Sequence, residues 1–260
     1  MDVITGRDNK KLKFARAVRD GRERGFIFLE GARLAVEAFR SDINIVDTLI
    51  SESFGTADHI PGVDPTIVAD RLFDSIAETK SSQGIILIAE RPETSIRRIS
   101  NAIDREPTGP FLILFLHEIN NPANLGAIMR TAEAAGVKGV IVSKGSADVF
   151  SPKALRSAMG SSLRVPICEN ADFDETIIWA KGVGLTSTAA DINASRSYTQ
   201  TDWGTSRLLV FGSEAHGLDK EKRERIDELI LIPMENEVES LNLAVSCGII
   251  LFEAKRQVPI

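Results

Sequence analysis

Three polar clusters, each placed where an apolar run ends, carry residue types that could do chemistry. The first is "NNPANLGAIMRTAEAAG", residues 120–136, which follows "PFLILFLH" and sets Asn124 and Arg130 into an otherwise alanine-rich helix. Asn121 before Pro122 makes a good helix start, because Asn caps free backbone N–H groups and Pro suits the first turn. Leu125, Ile128, Met129, Ala132 and Ala135 then keep helical spacing and are expected to face a core. Arg130 lies off that stripe, one turn beyond Gly126, where a pocket could open. The plainer reading pairs Arg130 with Glu133 at i,i+3 on a wet surface.

The second cluster, "LLVFGSEAHGLD", ends a strand-like run with Gly212, Ser213 and Glu214 and then reaches Gly217. Glycine after a buried strand lets a ligand approach the backbone, or simply serves a tight turn. The third, "LILIPMENEVESLNLAVSCGIILFEA", has a polar loop, then Ser240, Leu241 and Asn242 ahead of a helix whose first turns hold Ala244, Ser246, Cys247 and Gly248. Such small residues admit another helix or a ligand. Asn236 in that loop is a residue type that tolerates positive φ. Other chemistries lack their patterns. His59, His117 and His216 show no metal spacing, there is no P-loop, "GVGLTS" has only the first two glycines of G-x-G-x-x-G, and no G-x-S-x-G elbow occurs.

The elements that must position these clusters are legible as apolar runs. "FLILFL", "GVIVS", "VGLTSTA", "RLLVFGSE" and "LILIPM" alternate with helix-like stretches, and their near-continuous apolar character suits a buried parallel sheet. Ligand sites gather at the carboxyl ends of such strands, where all three clusters fall. Earlier in the chain "GFIFLEG", "NIVDTLISE", "PTIVA" and "GIILIAE" read as short strands around helices such as "ARLAVEAFR". The charged segment "RPETSIRRISNAIDREPTGP" separates the halves and ends in proline signals. The expected organisation is a small α/β domain over 1–92, a linker over 93–109 and a larger α/β domain over 110–260.

The 260 residues have an ordinary globular composition, 43% hydrophobic and 26% charged, with a net charge of −6. The charge is uneven: eight Lys or Arg against three Asp or Glu lie between Arg7 and Arg24. Lys10, Lys13, Arg16 and Arg19 recur every third residue, which makes one side of a short helix basic; it is either a solvated face or an RNA contact. The two cysteines, Cys168 and Cys247, sit in apolar stretches, which suits core packing in a reducing cytoplasm better than a disulfide. No apolar run approaches the roughly 20 residues of a membrane span, and the N-terminus has no signal-peptide core, so neither membrane nor export is expected.

Taken in order, "NPANLGAIMRTAEAAG", "FGSEAHGL" and "IPMENEVESLNLAVSCGIILFEA" resemble the three signature motifs of the SpoU (TrmH) family of RNA 2′-O-ribose methyltransferases, in the SPOUT superfamily. "SPKALRSAMGSSLRVPI" resembles the connecting segment of that family. "ITGRDNKKLKFARAV", "GFIFLEGARLAVEAF" and "TKSSQGIILIAE" fit its small RNA-binding domain less strictly. The resemblance implies a C-terminal domain with a trefoil-knotted, mostly parallel sheet flanked by helices, homodimerisation, no metal, and S-adenosylmethionine as methyl donor. On the motif match, Gly212, Ile232 and Leu241 hold the adenosyl group, with Thr188 in a nearby closing loop. Arg130 matches the catalytic arginine, and Asn124, Glu214, Ser240 and Asn242 position it, the nucleotide or the loops. Arginine is too weak an acid to serve readily as a base, so the role expected of Arg130 is to grip phosphate and orient the 2′-hydroxyl.

On this reading the basic stripe meets RNA, extended by Lys153 and Arg156. The substrate implied is ribosomal RNA, with transfer RNA as the rival and a non-catalytic RNA-binding assembly factor as the alternative from another class. The chain departs from the pattern where His117 and Asn121 replace acidic residues, Asn236 replaces a loop glycine and Ala158 replaces a serine. Cofactor binding is expected to survive these changes, while substrate choice is where they bear.

Overall fold

The computed structural model describes residues 3–54, 64–105, 109–236 and 238–258, so His59 and the end of the expected linker lie outside the described residues. Two units form: one from 1–93 and 148–164, the other from 94–147 and 165–260.

In the first unit α1 (Lys10–Arg19), β1 (Phe26–Glu30), α2 (Ala32–Arg40), β2 (Ile45–Ser51), β3 (Thr66–Val68), α3 (Asp70–Ile76) and β4 (Ile85–Glu90) follow one another. The sheet order is β1-β4-β2-β3, antiparallel except for the β2–β3 pair. Ile85 to Ala89 on central β4 are all buried, which explains why that run is apolar without alternation. One face is closed by α1 and α3, through Leu12, Ala15 and Val18 against Phe73 and Ile76.

The second unit opens with α4 (Ile96–Arg105), inside the stretch expected to be a linker. Ile99 is fully buried, and a Cβ at Gly139 would meet its side chain at 2.8 Å. The charged residues that suggest a linker are therefore the wet face of a packed helix. Then come β5 (Leu112–Leu116), α5 (Pro122–Ala135) and β6 (Gly139–Ser143). The chain next contributes α6 (Pro152–Ala158) and α7 (Ser161–Arg164) to the first unit, where α6 packs on β1 and Arg156 pairs with Glu78. It returns for β7 (Ile167–Ala171), α8 (Phe173–Gly182), β8 (Thr186–Ala190), β9 (Arg196–Ser197), β10 (Arg207–Phe211), α9 (Lys220–Glu224), β11 (Glu228–Leu231) and α10 (Leu243–Gln257).

These seven strands form a parallel sheet in the order β7-β6-β5-β10-β8-β11-β9. β5, β6 and β10 are its most buried members, and they are the most uniformly aliphatic runs. Two strands escape sequence reading, polar β7 ("ICENA") and two-residue β9, both at sheet edges. On one face Ile99, Phe173, Ile177, Leu218 and Ile226 pack against Ile113, Phe115 and Val210. Elsewhere α5 packs along α10, where Gly248 brings the Thr131 methyl to 3.6 Å of the Cβ position it lacks. The small residues of α10 thus serve a helix contact. Lys255 donates to the Ala134 carbonyl near the end of α5.

Candidate active site

Each cluster sits where a strand hands over to a loop at the carboxyl edge of the seven-stranded sheet. After β5, Asn121 caps α5 by accepting from the Ala123 N–H at 2.9 Å, as its place before Pro122 predicts. After β10, the chain turns sharply: Ser213 and Gly217 exchange backbone hydrogen bonds. A Cβ at Gly212 would lie 2.2 Å from the Gly217 carbonyl carbon and 2.5 Å from the Leu218 nitrogen, so glycine is demanded here by the turn itself. After β11, Ile232 is half-buried, Asn236 adopts φ 57 as its residue type allows, and Leu241 is 36% exposed. Asn242 caps α10, its Oδ1 accepting from the N–H groups of Ala244 and Val245.

One hydrogen-bonded chain ties the three clusters together. The Glu214 carboxylate accepts from the backbone N–H groups of Asn120 at 3.1 Å and Asn121 at 3.2 Å, and from the Asn124 amide at 3.2 Å. The Asn124 carbonyl oxygen in turn accepts from the Asn242 amide at 3.1 Å. Residues separated by 90 and 118 positions are thereby fixed against one another. Sequence reading names Asn124, Glu214 and Asn242 but misses the contribution of the Asn120 and Asn121 amides. Ser240 is exposed and stands outside this chain of bonds.

Partial burial pushes the Glu214 carboxyl up, but the hydrogen bonds led by the Asn120 N–H outweigh it and hold the pKa below 4.5. A depressed carboxylate stabilises the fold above its unfolded pKa and loses that contribution as pH falls through the folded value. The Asn124 side-chain amide resonances are accordingly expected to be pH-independent from neutrality down to about 4.5, and to move only below it. A shift centred above that value would contradict the network. Asn242→Ala removes both a cap and the tie, so an unfolding loss of about 1–2 kcal/mol is expected by urea titration.

Arg130 projects from α5 as an exposed side chain, one turn past buried Gly126, and among the described residues it forms no ion pair. Its guanidinium fork is positioned by helix α5, which also carries Asn124. Gly212 and Ile232 end strands two places apart in the sheet, a separation of about 10 Å at the usual strand spacing. The bare backbone at Gly212 and the exposed side chains of Leu241 and Val238 are of the kinds that suit a ligand having an apolar body and a polar edge. An adenosyl group fits that description.

Thr188 requires a correction. It lies within β8, fully buried, its backbone in register with Leu209 and Glu228 on either side and its hydroxyl accepting from Arg207 at 2.7 Å. With ladder and side chain both engaged, it closes no ligand slot.

The basic stripe also divides. Arg19 donates to the carbonyls of Ser75, Ile76 and Ala77 at the end of α3, and Arg16 bonds the Arg7 carbonyl and the Ser75 hydroxyl. Lys13 pairs with Asp8, while Lys10 and Lys153 are exposed. Three of the six cations expected to meet RNA are therefore engaged within the first unit: Arg19 satisfies carbonyls left open at the end of α3, Arg16 bonds the Ser75 hydroxyl and Arg156 pairs with Glu78.

Comparison with known proteins adds to this geometry. Residues 111–252 match the model of the SpoU rRNA Methylase family. A Bacillus subtilis relative described as 23S rRNA (guanosine(2553)-2′-O)-methyltransferase RlmP is 29% identical, over 98% of this chain and 100% of that protein. A Bordetella pertussis relative described as 23S rRNA (guanosine-2′-O-)-methyltransferase RlmB is 34% identical, over 74% of this chain and 77% of its own length. Among solved structures, an AdoMet-bound rRNA methyltransferase from Sinorhizobium meliloti superposes with a TM-score of 0.84 at 26% identity, covering 100% of this chain and 99% of that one.

Proposed function

We propose, because this chain belongs to the SpoU rRNA methylase family, that it transfers the methyl group of S-adenosylmethionine to a ribose 2′-hydroxyl in 23S ribosomal RNA. The observation that carries the reading is the bonded chain Glu214–Asn124–Asn242, which ties the three motif loops together on the helix that also carries Arg130. S-adenosylmethionine supplies a methyl group activated on a sulfonium. Gly212, Ile232 and Leu241 hold its adenosyl part. Arg130 grips the phosphate next to the target ribose and orients the 2′-oxygen, which loses its proton to phosphate or water as it gains the methyl. Since the transfer disperses charge, alignment and exclusion of water matter more than strong acid–base chemistry. The N-terminal unit reads RNA, with Lys10 and Lys153 as the exposed cations that meet its phosphates.

The protein works in the cytoplasm, as a homodimer, with the C-terminal segment knotted through the sheet. Supporting the dimer, Val245 and Phe252 are each 50% exposed and lie seven residues apart on α10, with Ile249 between them. Phe252→Glu is expected to halve the mass measured by light scattering at micromolar concentration, and an unchanged mass would remove α10 from the interface. The function itself is tested with labelled S-adenosylmethionine and separated ribosomal and transfer RNA pools. Label is expected on a ribose of 23S RNA. Cofactor binding with no transfer to either pool would favour the assembly-factor reading, which the presence of Arg130 together with Asn124, Ser240 and Asn242 argues against.

A further inference from the structure

Strands β8, β11 and β9 lie side by side in that order and run parallel, so the chain that joins β8 to β9, residues 191–195, has to cross β11 to reach its far side. The crossing is confined to the carboxyl end of β11, because Ala190 stops opposite Ile230 and Arg196 resumes opposite the same residue. Ile232 leaves the sheet just beyond that point. On its other side β8 borders β10, and counting on from the Ala189–Val210 pair places Asp191 level with Gly212. The strap thus stands between two of the residues that hold the adenosyl group.

Asp191 fixes this strap. Its N–H donates to the Ile230 carbonyl at 2.8 Å, its own carbonyl accepts from the Ala194 N–H at 3.2 Å, and its Oδ1 accepts from the Asn193 N–H at 2.7 Å. The remaining oxygen, Oδ2, pairs with Arg223 at 3.2 Å, and the Asp191 side chain is only 9% exposed. Arg223 belongs to α9, which Asp219 caps two residues beyond Gly217, so the pair clasps the strap to the segment that follows the Gly212 turn. At the far end Arg196 pairs with Glu228, which Arg207 also holds. Between these anchors Ile192 is left 66% exposed. One exposed apolar side chain is ordinary, but this one stands where Ile232 emerges, and Val238 and Leu241 farther along the same loop are also exposed.

We propose that this strap completes the donor slot: Ile192 joins Ile232 and Leu241 in holding the adenosyl group of S-adenosylmethionine, and Asp191, through its pair with Arg223, is the positioning residue that keeps the strap in place. The inference rests on the reading of the chain as a methyltransferase using that donor. Asp191 and Arg223 touch no reacting atom. They support a wall of the slot, so their removal changes how tightly the donor binds and leaves the transfer step intact.

The test is calorimetry on the full chain with S-adenosylmethionine and with its demethylated product S-adenosylhomocysteine, beside a urea curve for each variant. Ile192→Ser is expected to weaken binding of both compounds about tenfold with an unchanged urea midpoint, since so exposed a side chain contributes little to the fold. Asp191→Asn and Arg223→Gln are each expected to weaken both about tenfold, and the double variant no further than either single, because the two residues act as one clasp. In transfer to ribosomal RNA, each variant should raise KM for the donor while kcat and KM for RNA stay at parental values. Parental donor affinity in Ile192→Ser would overturn the wall. A lowered midpoint with parental affinity in Asp191→Asn would reduce the clasp to a tie within the fold and overturn its role. A loss that spares S-adenosylhomocysteine would mean that Asp191 meets the sulfonium itself, which would overturn positioning through Arg223. A wild type that binds neither compound would strike the methyltransferase reading, and this inference with it.

Discussion

Arg130→Ala is expected to lower methyl transfer to ribosomal RNA by about 10²–10³-fold, the loss typical when a single preorganised charge-stabilising donor is removed from a reaction centre. The same variant should bind S-adenosylmethionine with wild-type affinity. It should also unfold within roughly 0.5 kcal/mol of the parent, because the side chain is exposed and bonds no described residue. Calorimetry, a denaturation curve and a transfer assay on one preparation separate these quantities. Lysine at this position keeps the charge but loses the planar fork that grips phosphate bidentately, so Arg130→Lys should recover only a small part of the rate. Full activity in either variant would remove Arg130 from the reaction centre.

The second large effect belongs to Gly212. In Gly212→Ala the new methyl would lie 2.2 Å and 2.4 Å from the carbonyl carbon and oxygen of Gly217 and 2.5 Å from the nitrogen of Leu218. All three are backbone atoms, and Ser213 and Gly217 bond each other on both sides, so no side chain can swing away. The turn must open, at a cost of about 3 kcal/mol or more. Opening it also displaces Glu214 from the N–H groups it joins. A lowered urea midpoint and at least a tenfold loss of S-adenosylmethionine affinity are expected together. A midpoint and affinity equal to the parent's would mean that the turn relaxes and that the glycine answers no structural need.

The parallel sheet is legible from sequence because strands buried on both faces must be apolar throughout, as in "LILFL" and "RLLVF". The Asn121 cap is legible because a cap acts within three residues of itself, whereas Asn242 reads only as a residue ahead of a helix and its cap is found in the structure. What escapes reading depends on distant partners. The charges of α4 conceal the spacing of Ile96, Ile99 and Ile103, the one signal that could have revealed a packed helix in place of a linker. Strand β7 is half polar because it lies at an edge. Arg16 and Arg19 look like RNA contacts until α3 is seen to end beneath them. Thr188 stands near the end of the strand-like run "VGLTSTA" and is placed in a closing loop only by the motif resemblance, yet Arg207, nineteen positions away, supplies the partner that lets it be buried within the strand. Nothing in the spacing announces that Glu214 and Asn242 meet through Asn124.

Because α6 and α7 return to complete the N-terminal unit, that unit is discontinuous in the chain. Arg164 pairs with Glu37, Arg156 with Glu78, and Arg91 holds Asp148 through two hydrogen bonds. During synthesis on the ribosome, the N-terminal body must wait with one wall missing until residue 164 has emerged, by which time β5, α5 and β6 of the other unit are already made. The two bodies are therefore obliged to mature together, and a fragment cut after residue 93 would be born incomplete.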